Sequence, residues 1–511
     1  MNSNDRIVFN TIVTYISSII SIFVLLYVTR TVLENLGSKD FGLNNVIAGV
    51  VSMLSFLGAA MATSTQRYIS HALGAKQEDK IKIIYTNSFI IHIVIAILLA
   101  IIFEISGLYL VNYKLNIDIN RLFAANCLLQ FTIISTFFTV IAVPNDAAIN
   151  AKEDLFFLAI LGIFEVLFRL AIAISLAFIS WDKLIFFGFS VMLISIVLRV
   201  LKWWHVKSRY DEFEVNIKKY YDKILIKEMY SFAGWNFFGA LSVVGKNEGF
   251  AIAINIFFGT AVNAAFAVAN QVSGQLLFFS RTLLKAINPQ IVKNEGAGDR
   301  SAMVKLAYSA SKFGFLLVGF IAIPFIFEMK NILNVWLVNV PEYSTLFCQF
   351  MVLSLLIGQL TIGLQTAVQA TGSVKIYQIV VGSIQLLNVP VYFALFYFGY
   401  PPYWAVMAYC FFELMACMAR FIILKNLIEI NLTDFIKDVT LPQLIPTTIS
   451  VIVCMIIINL FDFHLRFVLT ITVAIFIFTF IAYNFSLTKG ERNYIKGTLN
   501  KLKEKIKFLL N

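Results

Sequence analysis

Residues 245–259 read GKNEGFAIAINIFFG inside an otherwise apolar run. The stretch places Lys246, Asn247, Glu248 and Asn255 where little else is polar. A charge at the centre of a membrane helix costs about 2.5–3.5 kcal/mol on insertion scales. A lysine kept there implies an ion pair, a packing role, or a hydrated surface that receives an anion. Glu248 lies about 200° from Lys246 around a helix, so the two do not pair with each other. Arg281 and Lys285 follow in the next apolar run. They share an arc of roughly 60° with Asn270 and Gly274, with Gln271 beside it. These cations, with the two amides, form a constellation suited to phosphate or another anion.

Further charges lie in apolar surroundings. Arg67 and Arg30 fall near the inner and outer ends of their runs, and Arg199 and Lys312 near inner ends, where long side chains reach the surface. Glu165 and Arg169 are four residues apart on one helical face and can neutralise one another. Glu104, Asp146, Glu165 and Glu248 are the acids that could carry a coupling ion. Glu104 and Glu413 read as lone intramembrane acids, so each is either buried neutral, because desolvation raises a carboxyl pKa, or a proton carrier.

The elements that position these side chains must be membrane helices. The chain has 511 residues, 59% hydrophobic and 14% charged, where a soluble domain has about 25% charged residues. Fourteen apolar segments of about 20–30 residues can each cross a hydrocarbon core of about 30 Å. They are 7–30, 42–70, 82–111, 121–145, 155–180, 184–205, 228–258, 261–292, 303–327, 344–370, 376–399, 402–425, 442–461 and 465–487. Spanning strands would be shorter and would alternate polar with apolar. The fold class is therefore an all-α polytopic membrane protein. Five cysteines lie singly in apolar runs, in no metal-binding or disulfide spacing, and with four scattered histidines no metal site is expected.

Charge sets the orientation. With the N-terminus inside, inner loops and tails hold about 26 Lys and Arg and outer loops about 7. Both termini are then cytoplasmic, and the net charge of +11 reflects this bias rather than nucleic-acid binding. Two basic amphipathic stretches, one after the sixth span and one at the C-terminus (YIKGTLNKLKEKIKFLL), suit the surface of an anionic inner leaflet.

An internal echo gives the organisation. YISHALGAKQEDKIKI ends the second span, and PQIVKNEGAGDRSAMVKL ends the eighth. Gly74-Ala75 aligns with Gly296-Ala297 at an offset of about 222 residues, or six helices, as expected of parallel repeats. The expected domains are a lobe over 1–206 (helices 1–6), a cytoplasmic amphipathic linker over 207–227, and a second lobe over 228–427 (helices 7–12). Helices 13–14 follow over 428–487, with a basic tail over 488–511. Polar stripes in span 1 (Asn10, Thr14, Ser17, Ser21), span 2 (Asn45, Ser52, Thr63, Ser70) and span 10 (Ser354, Thr361, Gln365, Gln369) either let helices pack closely or line a wet central cavity. Cations outnumber acids along these candidates, which favours an anionic, hydrogen-bonding cargo over lipophilic cations.

The sequence resembles bacterial polysaccharide flippases of the multidrug/oligosaccharidyl-lipid/polysaccharide exporter superfamily. These move undecaprenyl-diphosphate-linked O-antigen or capsule repeat units. The resemblance spans nearly the whole chain. It is densest in SFAGWNFFG (231–239), FFGTAVNAAFAVANQVSGQ (257–275), NPQIVKNEGAGD (288–299), ILNVWLVNVPEYSTLF (332–347) and QATGSVKIYQ (369–378), with LGSKDFGLNNVI and QRYISHALGAK in the first half. It implies two six-helix bundles around a cavity open alternately to each side, and a bacterial inner-membrane location. It also implies an undecaprenyl-diphosphate-linked glycan as cargo and a polysaccharide polymerase as a possible partner. On this reading Lys246, Arg281, Lys285, Asn270, Gln271, Arg67, Arg169, Arg30 and Arg199 are the substrate-binding candidates. No cofactor is expected beyond a coupling H+ or Na+, and no catalytic residues. The alternatives are an ion-coupled multidrug antiporter, which would depend on carboxylates such as Glu104, Glu165, Glu248 or Asp146, and a peptidoglycan-precursor flippase. A membrane polymerase or ligase would need a long outer loop bearing Arg or His, whereas the longest hydrophilic connection here is cytoplasmic.

Overall fold

The computed structural model describes residues 55–493 except 115–116, 338–339, 429 and 464, together with scattered positions between 13 and 47. The described chain is all-helical. Among the described residues ten helices are long and apolar enough to cross a membrane, and a bent pair makes eleven. Of the fourteen expected spans, the first two fall partly on positions outside the described residues. The eighth is helical but not apolar enough to stand among the ten, its run being interrupted by Asn263, Asn270, Gln271, Gln275, Arg281 and Lys285.

In chain order the main helices are α1 (Ser55–Gly74), α2 (Glu78–Tyr109), α3 (Leu122–Ile141), α4 (Val143–Ala151), α5 (Leu155–Ser175), α6 (Lys183–Arg209) and α7 (Lys223–Gly296). They continue with α8 (Arg300–Trp336), α9 (Ser344–Gln359), α10 (Ile362–Thr371), α11 (Val374–Leu386), α12 (Asn388–Tyr397), α13 (Tyr403–Ile428), α14 (Leu441–Leu460) and α15 (Arg466–Ile481). Aspartates open several of them. Asp182 accepts from the amides of Leu184 and Ile185, Asp222 from Ile224 and Leu225, and Asp299 from Ala302, satisfying donors that the first helical turn leaves unpaired. Within α7, Gly259 breaks the helix at φ 80° and ψ −174°. Only glycine takes such a backbone without strain, and it falls between the expected seventh and eighth spans.

The chain forms two compact units. One comprises residues up to Phe237 together with Val292–Gly298, and the other Phe238–Ile291 together with residues from Asp299 onward.

In the first unit, α3 packs between α2 and α6, and α1 lies against α4. At one end of this unit the repeated glycines meet. A Cβ on Gly74 would overlap the Lys293 carbonyl, and a Cβ on Gly296 would overlap the His71 carbonyl. Since 293 and 71 differ by the same 222 positions as 296 and 74, the contact is reciprocal, each copy of the echo seated on the other. Lys293 pairs with the buried carboxylate of Glu153 beside this crossing. The connection after α6 buries Phe213 and Tyr220; Phe213 meets the Tyr85 ring edge-on and Asn87 donates to the Tyr220 carbonyl. Its Lys218 and Lys219 stay exposed. Elsewhere in this unit Arg121 donates to Asp40 at 2.6 and 2.9 Å and to Asp182 at 2.6 Å.

In the second unit, α8 packs against α9, α10, α14 and α15. Lys312, deep in α8, donates to both carboxylate oxygens of Glu491 at 2.7 and 2.8 Å. It is therefore paired, where the sequence suggested a side chain reaching for the surface. Nearer the other end, α8 kinks at Glu328, four residues after Pro324. Proline removes one backbone donor and crowds the carbonyl four residues earlier. Glu328 accepts from Arg466, Thr470 and Asn331.

Candidate functional site

The expected tenth span is not one straight helix. α9 and α10 meet at a bend of 47°, and the bend carries the buried Gln359 and Thr361. Beside it lies a cavity of roughly 350 Å³, entirely within the second unit. Its charged lining is Lys246 and Arg281 from α7 with Glu413 and Arg420 from α13. Asn270, Gly274 and Ser354 line it as well, and no atom lies within 4 Å of the place a Cβ on Gly274 would take.

Glu413 and Arg420 are the firmest part of the site. They are seven residues, two helical turns, apart on α13 and so share a face. The Arg420 guanidinium lies 3.0 Å from the Glu413 carboxylate and donates to the Thr361 hydroxyl at 3.1 Å. Gln385 on α11 donates to the other Glu413 oxygen at 2.8 Å. Gly358 keeps α9 close: a Cβ there would sit 3.0 Å from the carboxylate. Among the described residues Arg420 Nε, Gln385 Oε1 and the Ser273 hydroxyl are buried here without a hydrogen-bond partner. Lys246 is held differently. Its ammonium lies 4.6 Å from the centre of the Tyr409 ring, a cation–π contact, and the Tyr409 hydroxyl donates to the Lys246 carbonyl at 3.2 Å. One acid thus faces three cations, and pairing neutralises only one of them.

The sequence candidates divide clearly. Lys246, Arg281 and Asn270 line this cavity. Lys285, Gln271 and Glu248 are exposed and do not line it. Arg67 lies in the first unit with its guanidinium over the Tyr68 and Phe232 rings. Arg169 pairs with Glu165 at 3.0 Å, as their spacing suggested. Asp146 pairs with Lys202 at 2.6 Å, and Arg199 donates to Thr139 at 3.3 Å. Glu104 accepts two hydrogen bonds from Gln130, both at 3.0 Å. Arg30, Asn10, Asn45 and Ser52 lie outside the described residues. In the span 1 stripe, Ser17 and Ser21 donate to carbonyls of their own helix. Arg420 and Gln385 were missed. Arg420 sits five residues from the expected inner end of its span, where a basic residue reads as a surface anchor. Its spacing from Glu413 was the available signal.

No protein-family model matches this sequence, and no curated protein does. Solved structures do match in fold. An outward-facing multidrug resistance MATE family transporter of the MOP superfamily superposes with a TM-score of 0.71 at 12% identity, covering 84% of this chain and 96% of that one. A MOP superfamily transporter from Pyrococcus furiosus, described by the reverse polarity of its binding pocket, gives the same score, identity and coverage. A Vibrio cholerae MATE transporter in its bent form gives 0.66 at 14% identity, over 83% of this chain and 98% of that one. The chain is a polytopic membrane protein with the fold of MATE transporters of the MOP superfamily.

Proposed function

We propose that the chain is an alternating-access transporter, not an enzyme, and that its cargo is anionic: an undecaprenyl-diphosphate-linked oligosaccharide moved from the inner to the outer leaflet. The observation that carries this reading is the cavity in which Lys246, Arg281 and Arg420 face the single carboxylate of Glu413. Two uncompensated cations in a membrane cavity are costly unless an anion arrives to meet them. A diphosphate diester brings two negative charges, and Asn270 and Ser354 offer hydrogen bonds to the neighbouring sugar. The exposed Lys218 and Lys219 support contact with anionic inner-leaflet lipids. A bacterial inner-membrane location, cytoplasmic termini and a polymerase as partner belong to the same proposal.

A second reading, ion-coupled multidrug export, is better supported by the solved neighbours, most of which are named as MATE transporters. Their likeness at 11–14% identity concerns the fold. One neighbour of the same fold is itself described as having reversed pocket polarity that suggests a different function, so pocket charge carries more weight for cargo than fold does. Deleting the gene separates the two readings. We expect lipid-linked repeat units to accumulate on the inner leaflet, with sensitivity to cationic drugs unchanged. Hypersensitivity to such drugs without lipid-linked accumulation would establish the second reading instead.

A further inference from the structure

We infer that Glu413 is a built-in counter-anion that occupies the cation site when no cargo is present and sets how much negative charge a ligand must carry to enter. This rests on the anionic-cargo reading above.

Three features support it. The carboxylate is held by Arg420 at 3.0 Å and by Gln385 at 2.8 Å, so it occupies the guanidinium face that an incoming phosphate oxygen would use. Arg420 nevertheless keeps donor capacity, because its Nε is buried without a partner, and a guanidinium engages an anion best through two parallel donors. Lys246 makes no ion pair among the described residues and rests on the Tyr409 ring, leaving its ammonium available to swing into the cavity.

The charges then set the selectivity. With Glu413 ionised, the four charged groups lining the cavity sum to plus two. A monovalent anion gains little by entering, because it must displace a carboxylate of equal charge that is already tethered at high local concentration. A diphosphate engages Arg420, Arg281 and Lys246 together and outcompetes the carboxylate. Specificity comes from a repulsive group placed against the weaker competitor. The groups facing Glu413 are Lys246 from α7, the small Gly358 from α9, Gln385 from α11 and Arg420 from its own helix. Gln385 is an amide, so the competition is between carboxylate and cargo for the two cations.

The test uses the full chain in lipid nanodiscs and inorganic pyrophosphate as the probe, with chloride as competitor. We expect the wild type to bind pyrophosphate with little effect of chloride. Glu413→Gln should bind pyrophosphate at least ten-fold tighter, and its binding should become chloride-sensitive. Adding Lys246→Gln to Glu413→Gln should abolish the gain. Glu413→Asp, one methylene too short to reach Arg420 well, should move in the same direction by a smaller factor; it serves if the glutamine variant does not fold. If the wild type binds pyrophosphate but neither variant binds it tighter, the counter-anion role is overturned and the anionic-cargo reading stands. If neither the wild type nor any variant binds pyrophosphate, both fall.

Discussion

At the scale of single residues, the second-unit cavity separates side chains that hold the protein together from those that meet a ligand. Arg420 belongs to the first kind through its pairing with Glu413. Removing it leaves Glu413 buried with only Gln385 as donor, and breaking a buried pair on one side costs about 3–5 kcal/mol. Arg420→Ala is therefore expected to lower the unfolding temperature in detergent markedly, while Arg420→Ala with Glu413→Gln recovers most of the loss. A thermal scan of both variants checks this, and equal stability of Arg420→Ala and wild type would show that the pair carries no structural weight. Lys246→Met should behave oppositely, unfolding close to wild type and failing to complement a deletion strain. A separate expectation concerns the clamp that Arg121 makes with Asp40 and Asp182. Burial pushes the Asp182 carboxyl up, but hydrogen bonds from Arg121 and from the amides of Ile185 and Leu184 outweigh it and hold the group below its ordinary value. A depressed carboxyl stabilises the fold above its unfolded pKa and loses that contribution as pH falls through the folded one. Asp182→Asn should thus be less stable than wild type at neutral pH. The gap should close below about pH 4, the unperturbed carboxylate range.

At the scale of elements, most of the span edges and the echo were legible in the sequence. Apolar length alone determines a membrane helix, and the boundary between the seventh and eighth spans and the Gly74/Gly296 alignment needed only spacing. The reciprocal contact those glycines make could not be read from sequence. Here two helix ends pack backbone to backbone with no room for a side chain. Gly74→Val and Gly296→Val should each reduce accumulation of folded protein, whereas Gly162→Ala, with no atom within 4 Å of the added Cβ, should leave it unchanged; fluorescence-detected size exclusion reports all three. The bend between α9 and α10 was also hidden. Periodicity across 344–370 continues through it, and the partners that Thr361 meets at the bend, Arg420 and Cys417, are distant in sequence on α13. Site residues fared less evenly for the same reason. Lys246, Arg281 and Asn270 were found because a charge or amide within an apolar run is conspicuous. Lys285 shares their arc on paper, but lies beyond the cavity one turn further along the helix. Arg420 was hidden by lying near an edge, where cations are common.

At the scale of the molecule, α14 and α15 were expected as an extra pair appended to a core of two six-helix lobes, and the described contacts make them part of the second unit. Two buried ion pairs fasten them to α8. Lys312 holds Glu491, just beyond the last span, and Glu328 holds Arg466 at the start of α15. The two anchors are sixteen residues apart on α8, about 24 Å at 1.5 Å per residue, so they fix opposite ends of the added pair. Both α8 partners are nearly inaccessible, Lys312 at 5% and Glu328 at 1% exposure. A chain ended before Leu432 would leave an ammonium and a carboxylate unpaired in a low-dielectric setting, each costing several kcal/mol. Such a truncation is expected to fail to accumulate in the membrane. Adding Lys312→Met and Glu328→Gln to the truncated chain removes both stranded charges and should restore part of the accumulation, although the apolar faces of α8 stay uncovered. If the plain truncation accumulates and unfolds like the full chain, these ion pairs do not anchor the last two spans. If the charge-neutralised truncation does no better than the plain one, apolar packing rather than charge pairing binds α14 and α15 to the unit.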